Sequence, residues 1–516
     1  MTEDRVAGAL VTPLESWAPV HPAAAAAVAG EIDLPPIVAG TVPRSPLLAE
    51  ALERANRAWG NPVDAELSRW LAGADVVVTG QQPGLLGGPL LTLVKAAAVT
   101  AEVRRLRSEG REAVGFLWLA TGDDDLPEMG WGRVVAGDDL LEVREPGWER
   151  GAMLGGLAPL TSACAAFLEQ VRPRLSGEHA AAAMELAASC YLPGTALGQA
   201  TATFLARLVA GSGLILVDAL EPEIARAGAP VVERVLSELP ACWEALEAGA
   251  ATFRSRGWPL PLRISPHKLP AFRWRGQSRE SVATTRGACP PTVLQEFVAH
   301  PERFLPNAWL RPLLQDAALG TSVAVLGAAE LAYHVQTAQA RTVARGARPR
   351  WMLRPHVTVV TPAERRLARQ LGVEPADLLR AQPPAGTLPG KATRRSLKRM
   401  HAAIGKHAGE LAEAARDELP ALGGDVEATG RKLEVALTWL EGRVTAAATR
   451  DAEVELSRWR RLRAFIRPDG APQERHLSVL APLLRLGTAW PEQLAVGLDP
   501  ARAGMQLLFW EEGGLW

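Results

Sequence analysis

Two corners of this sequence carry residues suited to chemistry on an anionic or amine-bearing molecule. The first is Gly80-Gln81-Gln82-Pro83-Gly84-Leu85-Leu86-Gly87-Gly88-Pro89, which follows Asp75-Val76-Val77-Val78-Thr79 and precedes a helical stretch holding Lys95. Its glycines allow close backbone approach, and free N–H groups with the dipole of the next helix would favour an anionic group. Gln81 and Gln82 add amide donors and acceptors, and Lys95 adds a positive charge. The same pattern also fits a tight structural turn with Lys95 solvated. It is neither a Walker A loop nor a Gly-x-Gly-x-x-Gly fingerprint. The second corner is Asp123-Asp124-Asp125, whose carboxylates could hold Mg²⁺, grip hydroxyls or an amine, or serve as a base. A solvated turn or a helix N-cap accounts for the same residues.

More polar residues fall at the ends of apolar runs. Asp218 closes Leu214-Ile215-Leu216-Val217, and the stretch 306–316, with Asn307 and Arg311, precedes the run 322–327, which leads to Glu330 and Tyr333. Each has an ordinary explanation as a cap or salt bridge. Together, polar residues from at least three strand ends describe one crevice. The nine histidines show no His-x3-His or His-Glu-x-x-His spacing, so a zinc site is not expected. No Gly-x-Ser-x-Gly elbow occurs.

These residues need a scaffold of strands. The run 75–80 has the continuous apolar character of a strand buried on both faces, 90–108 reads as a helix, and 114–120 as a second buried strand. Strand, helix and strand within about 45 residues make a right-handed βαβ unit with a parallel sheet. Further strands are expected at 214–218, 322–327 and 357–360, with helical tracts at 161–210, 222–249 and 328–345 between them. A helix is expected around 45–59 in an otherwise Pro- and Ala-rich start. The alternation implies an α/β fold with a doubly wound parallel sheet. The long intervals leave room for inserted subdomains at roughly 140–205 and 225–300 within a core of 1–380. The stretch 263–286, aromatic and basic without a period, reads as part of an insertion.

The last third changes character. Leu397, Met400, Ile404, Ala408, Leu411 and Ala415 are spaced 3-4-4-3-4, and Leu433, Leu437, Leu440, Val444 and Ala447 are spaced 4-3-4-3. A break at 420–425 separates them, and Leu456, Trp459, Leu462 and Ile466 continue after a phase slip. Two long amphipathic helices over 381–467, flanked by a Pro-rich stretch at 382–389, form an antiparallel coiled-coil hairpin, with 468–516 returning to the core. A hairpin of this length either buries its stripes on itself or packs on a second copy, and a homodimer is expected.

Composition bounds the rest. The 516 residues are 48% hydrophobic and 22% charged, which excludes a disordered chain, and the length suggests about three domains. The 56 Lys+Arg offset 57 Asp+Glu for a net charge of −1, so a nucleic-acid partner is not expected. Fifty of those 56 cations are arginine, which looks like genome composition. Four scattered cysteines without a CxxC pair suggest a reducing compartment. The acidic start lacks the charge of a signal peptide, and no apolar run approaches the roughly 18 residues of a membrane helix. The expectation is a soluble cytoplasmic protein with no membrane partner.

Several motifs add a resemblance. Thr79-Gly80-Gln81-Gln82-x-Gly84-Leu85-x-x-Gly88-Pro89-Leu90-x-Thr92-x-x-Lys95 is similar to the signature turn of the cysteine ligases of bacillithiol biosynthesis, the BshC family. So are Trp118-Leu119-Ala120-Thr121 with its acidic successor, Arg303-Phe304-x-Pro306-Asn307 through Arg311-Pro312-x-x-Gln315-Asp316, and Glu330-x-Ala332-Tyr333. Pro468-Asp469-Gly470-Ala471-Pro472-Gln473-Glu474-Arg475 resembles a further family element near the C-terminus. The matches run in family order from Thr79 onward.

The resemblance implies a Rossmann-like core with two connecting insertions, related to class I aminoacyl-tRNA synthetases and nucleotidylyltransferases, and a dimerising C-terminal coiled coil. It also implies an enzyme that joins cysteine through an amide to the amine of glucosaminyl malate. Activation by ATP or another nucleotide is then expected, with Mg²⁺ possible. Under that reading the turn 80–89, including Gly80, Gln81, Gln82, Gly84 and Gly88, takes an anionic part near Lys95. Asp123 and Asp125 hold the acceptor amine or a hydroxyl, while Asn307, Arg311 and Glu330 line the opposite wall with Tyr333 and Asp218 nearby. Gln473-Glu474-Arg475 braces the core. The chain departs from the family's Glu-Asp-His-Asp at Gly122 and Asp124, and from its Gly-Pro-x-Glu at 327–330. A nucleotidyl- or group-transferase on the same core and a ligand-binding homologue without turnover remain the alternatives.

Overall fold

A computed structural model describes residues 4–6, 9–12, 20–37, 43–148, 153–175, 177–381, 391–419, 422–502, 504–511 and 514–515. The Pro-rich stretch 382–389 lies outside the described residues. The chain forms two compact units, one made of Met1–Arg365 with Ala464–Trp516, the other of Arg366–Arg463.

The first unit is built on a five-stranded parallel sheet. Numbered along the chain, its strands are β1 (Asp75–Gln81), β2 (Ala113–Leu119), β3 (Leu214–Asp218), β4 (Thr321–Leu326) and β5 (Arg350–Leu353), in the order β5-β4-β1-β2-β3. β1 and β2 pair along their full lengths, from Asp75 opposite Ala113 to Gln81 opposite Leu119. The order reverses between β1 and β4, the place where a doubly wound sheet opens a crevice beyond its carboxyl ends.

Alternation along the strands explains why both sheet faces are covered. Val76, Val78, Val114, Phe116 and Trp118 join one buried cluster with Leu48, Leu67, Trp70, Leu310 and Leu319. That face is packed by the helices Pro46–Trp59, Asp64–Leu71 and Leu310–Leu319. Val77 and Leu117 point the other way and are equally buried. There the helix Leu91–Ser108 presses on β1 and β2. Gly115 permits that approach, since a Cβ there would sit 2.8 Å from Val99 Cγ1. The outer edge of β3 is closed by two buried asparagines. Asn56 bonds both the N–H and the C=O of Leu216, at 3.0 and 2.8 Å, and Asn61 donates to Leu214 O at 2.9 Å. Unpaired edge groups would otherwise lie in a dry interior.

The expected helix at 45–59 is Pro46–Trp59, with Ser45 accepting from the Leu48 N–H. The expected strand at 357–360 exists but does not belong to this sheet. Proline at 355 has no N–H for a ladder, and past it His356–Val360 leaves β5 for a second sheet. There it pairs in parallel with Met505–Glu511, beside Ala9–Thr12 and Asp4–Val6. The long intervals hold the hairpin Trp131–Ala136/Asp139–Arg144, helices between Ala163 and Val209, and a second hairpin, Lys268–Arg275/Ser278–Ala283, with Phe304–Pro306 on its edge. The irregular stretch 263–286 is that second hairpin.

The second unit holds helix Lys391–Glu418 and most of helix Gly423–Ile466, which begins inside the expected break. His401 reaches Glu441 at 3.3 Å and Arg416 reaches Glu427 at 3.1 Å, as two antiparallel helices require. Ala412, Ala415 and Leu437 are buried between them. Met400, Leu411, Leu433 and Trp439 stay 42–66% exposed. No helix among the described residues is long and apolar enough to cross a membrane.

Candidate active site

A cavity of about 730 Å³ opens beyond the carboxyl ends of the sheet. Every core strand contributes to it: Gly80 and Gln81 from β1, Trp118 of β2 with Asp123 beyond it, Ala219 after β3, Glu330 after β4 and Arg354 after β5. The glycine corner and the aspartate corner therefore face one space. They are joined directly, because Gln82 Nε2 donates to Asp123 Oδ2 at 2.6 Å.

The glycine corner is closed rather than open to an anion. Gly84 N donates to Thr201 Oγ1 (3.2 Å), Gly87 N to Tyr191 Oη (2.6 Å), Gly88 N to Leu85 O (2.9 Å) and Leu90 N to Leu477 O (2.7 Å). These N–H groups are satisfied by protein, which corrects the expectation of free donors. Gly84 and Gly88 lie outside the cavity lining and serve the turn. A Cβ on Gly84 would stand 2.7 Å from Gly88 Cα, and Gly88 has φ +71°.

Lys95 is likewise committed. Its Nζ donates to Gly80 O (2.6 Å), Gln81 Oε1 (3.1 Å) and Glu330 Oε1 (3.0 Å), which uses all three of its hydrogens. Burial pulls the ammonium below its ordinary pKa, and the Glu330 pair opposes that. Burial pushes Glu330 upward, but Lys95 and the Gly327 N–H, 2.6 Å from Oε2, outweigh it and hold the carboxyl below its ordinary value. Lys95 and Glu330 thus form a strut across the switch point between β1 and β4. The change from the family's Gly-Pro-x-Glu leaves this role of Glu330 in place.

The three aspartates part ways. Asp123 lines the cavity, its Oδ1 accepting the Asp124 N–H at 2.9 Å. Asp124 commits both oxygens to Arg279, one to Nε at 2.8 Å and one to Nη2. Asp125 is exposed, sits before the short helix Leu126–Met129 and does not line the cavity. Glu128, one turn on, does line it. Although Glu128 is an exposed residue, partial burial of its carboxyl, then the charges of Asp125 and Asp123, push it above the ordinary glutamate value, with Gln82 opposing them. Asp218 also lies outside the lining and bonds Thr121 Oγ1 and the Leu220 N–H (2.9 Å), bracing the turns after β2 and β3. Burial raises its pKa against those two bonds.

On the opposite wall Asn307, Arg311, Glu330 and Tyr333 all line the cavity. Asn307 Oδ1 accepts the N–H groups of Trp309 and Leu310, each at 3.2 Å, and so starts the helix Leu310–Leu319. Arg311 Nη2 donates to Tyr333 Oη at 3.1 Å, and burial pushes that phenol up to about 12.

Sequence reasoning missed Arg279, Glu128, Arg263 and Arg354 as lining residues, and took Arg475 for a brace. Gln473 and Glu474 do brace: Gln473 bonds Val359 N and O at 2.8 and 3.0 Å, and the fully buried Glu474 holds Arg354 at 2.7 Å. Arg475 instead lines the cavity. The only signal for these arginines was the basic character of 263–286 and their place beside quoted motifs.

Charge in this cavity differs from that of the chain. Six cations (Lys95, Arg263, Arg279, Arg311, Arg354, Arg475) face three carboxylates (Asp123, Glu128, Glu330). Lys95, Arg279 and Arg354 have carboxylate partners. Among the described residues no carboxylate lies within ion-pair distance of Arg263, Arg311 or Arg475, which leaves three positive groups from three segments for an anion. The buried indole N–H groups of Trp118 and Trp309, two further lining residues, have no acceptor among the described residues. The four cysteines are free, and burial raises the thiols of all four, Cys164 to about 12 and Cys242 and Cys289 to about 11, away from nucleophilic thiolates.

Comparison with known proteins agrees with this architecture. Residues 39–354 match the model described as "Bacillithiol biosynthesis BshC, N-terminal Rossmann-like domain", and 357–510 match the corresponding "C-terminal coiled-coil domain". A Thermus thermophilus protein named "Putative cysteine ligase BshC" is 30% identical over 477 residues, 87% of this chain and 91% of that protein. A Solibacter usitatus protein of the same name is 26% identical over 457 residues, 84% of each. One from Koribacter versatilis is 28% identical over 301 residues, 56% of each. With both domain models matched in order, and the strand-end cavity falling within a Rossmann-like sheet, the chain belongs to the BshC family.

Proposed function

We propose that this protein is a ligase of bacillithiol biosynthesis that joins the carboxyl group of cysteine to the amine of glucosaminyl malate. The observation that carries the reading is the cavity of a BshC-family core in which three cations without carboxylate partners stand across from Asp123 and Glu128. Arg263, Arg311 and Arg475 receive anionic groups, and the two carboxylates receive the ammonium group of the acceptor. Forming an amide from carboxylate and ammonium releases water and is uphill, so the carboxyl oxygen must leave on an activating group. A nucleotide would supply that group when bound, and the cation excess suits its phosphates. The attacking amine must shed a proton, and Glu128, with its raised pKa, is the side chain suited to accept it.

Purified protein with cysteine, glucosaminyl malate and ATP should give a product of bacillithiol mass with matching release of a phosphate-containing product. No thiol product with any nucleoside triphosphate overturns the reading. A ligand-binding homologue without turnover is the second reading, favoured by Asp124 committing both oxygens to Arg279. Calorimetric binding of glucosaminyl malate without turnover would select it. The exposed Met400, Leu411, Leu433 and Trp439 support a homodimer through the helical hairpin, testable by sedimentation. The four free cysteines support a cytoplasmic setting.

A further inference from the structure

One wall of the cavity is the inserted hairpin Lys268–Arg275/Ser278–Ala283, which contributes Phe272 and Arg279 to the lining. Three attachments join it to the aspartate corner. Arg279 forks onto Asp124, reaches toward Gly122 O at 3.4 Å, and stands 3.7 Å from Asp123 Oδ1. At the hairpin turn Gln277 O accepts the Leu154 N–H at 2.8 Å, and the next residue, Gly155, donates to Asp123 O at 2.7 Å. A small apolar cluster of Leu154, Leu220 and Leu305 packs against Phe272 and Trp274.

The fork is built on the hairpin side too. The Arg279 guanidinium lies 4.4 Å over the Phe272 ring, a cation–π contact that holds the plane in register with the carboxylate. Bidentate pairs of this kind fix orientation as well as distance. Asp123 is in turn held by the Asp124 N–H and by Gln82.

We propose that Asp124 and Arg279 are positioning residues, a clasp that fixes the hairpin wall and, through it, the carboxylate of Asp123 toward the acceptor amine. This rests on the ligase reading for the identity of that amine, but not for the clasp itself. Asp124, at a position where the family pattern has a histidine, then takes no part in proton transfer. Arg279 is the residue through which the insertion sets acceptor affinity.

The test combines hydrogen exchange on the full chain with steady-state kinetics. Arg279→Ala and Asp124→Asn should each raise amide exchange across 268–283 about tenfold, the size expected when a partly exposed bidentate pair is lost, with the sheet unaffected. Both should raise KM for the amine acceptor about tenfold, with a smaller change in kcat. The exchanged pair Asp124→Arg/Arg279→Asp should restore part of both. Unchanged exchange at 268–283 in the single variants overturns the clasp. So does a fall in kcat at constant KM for Asp124→Asn, which would mark Asp124 as a proton acceptor. Exchange needs no turnover, so failure of the ligase reading and failure of the clasp are distinguished.

Discussion

The glycine corner after β1 and the aspartate corner after β2 border the same cavity but meet it in opposite ways. In the first, the N–H groups of Gly84, Gly87, Gly88 and Leu90 are all taken by protein, and Lys95 is tied to Glu330. In the second, Asp123 is held from two sides and still lines the cavity, with Glu128 and three cations lacking carboxylate partners around it. A run of glycines marks where backbone must approach backbone. It says nothing about whether the exposed N–H groups are left for a ligand. Polar side chains at strand ends are the better guide, because a dry interior tolerates them only when something partners them.

A brace should fail by unfolding and a cavity residue by lost turnover, so substitutions can break this contrast. The largest effect is expected for Glu474→Ala, which leaves Arg354 buried without its partner and should cost about 3–5 kcal/mol in urea unfolding. Burial works against the Glu474 charge, yet Arg354 and His356 hold its carboxyl far below the ordinary range. A depressed carboxyl contributes stability that is present above its unfolded-state pKa of about 4.3 and lost as pH falls below it. Unfolding against pH should therefore show an acid-side loss in the wild type that Glu474→Gln reduces. Next comes Gly87→Ala, with φ +88° and a Cβ that would lie 2.7 Å from Val479 Cβ. Crowding and a left-handed backbone together should cost about 3 kcal/mol, read as a lower Tm.

The cavity residues should behave differently. Glu128→Gln should lower kcat about a hundredfold with little change in Tm. Because the raised Glu128 must be deprotonated to accept a proton, the wild-type rate should climb with pH above the usual glutamate range, and the variant should lose that limb. Arg475→Ala should raise KM for an anionic substrate about ten- to hundredfold at unchanged Tm, the loss of one charge-assisted contact. Asp125→Ala should be the mildest, within about 0.5 kcal/mol in stability and with near-wild-type kcat, its one kinetic trace a small shift of the Glu128 limb to lower pH. That side chain is exposed outside the lining and reaches the site only through its charge on Glu128. A large kinetic defect at Asp125 would break the contrast between the corners.

Much of the fold was legible. Val76-Val77-Val78 and the apolar run of β2 announce doubly buried strands because parallel sheets cover both faces, and the 3-4 spacing from Leu397 to Ala415 announces a packed helix. The strand at 357–360 was legible as a strand and not as a member of a second sheet, because its partner Met505–Glu511 lies some 150 residues away and leaves no mark on local pattern. Asp123, Asn307, Arg311, Glu330 and Tyr333 were legible as lining residues from their places at strand ends. Arg279 was not, since nothing in an irregular hairpin with several arginines marks which of them turns into the cavity.

What the sequence determined by itself is periodic: which stretches are buried on two faces, which on one stripe, and where polar residues must crowd at strand ends. Pairing was decided only by the tertiary structure. Whether Lys95 faces a ligand or Glu330, and whether Asp124 is available or clasped by Arg279, depends on groups 235 and 155 residues apart along the chain. Charges choose partners by distance in space, and that distance is set by how the sheet, its insertions and the returning C-terminal segment pack together.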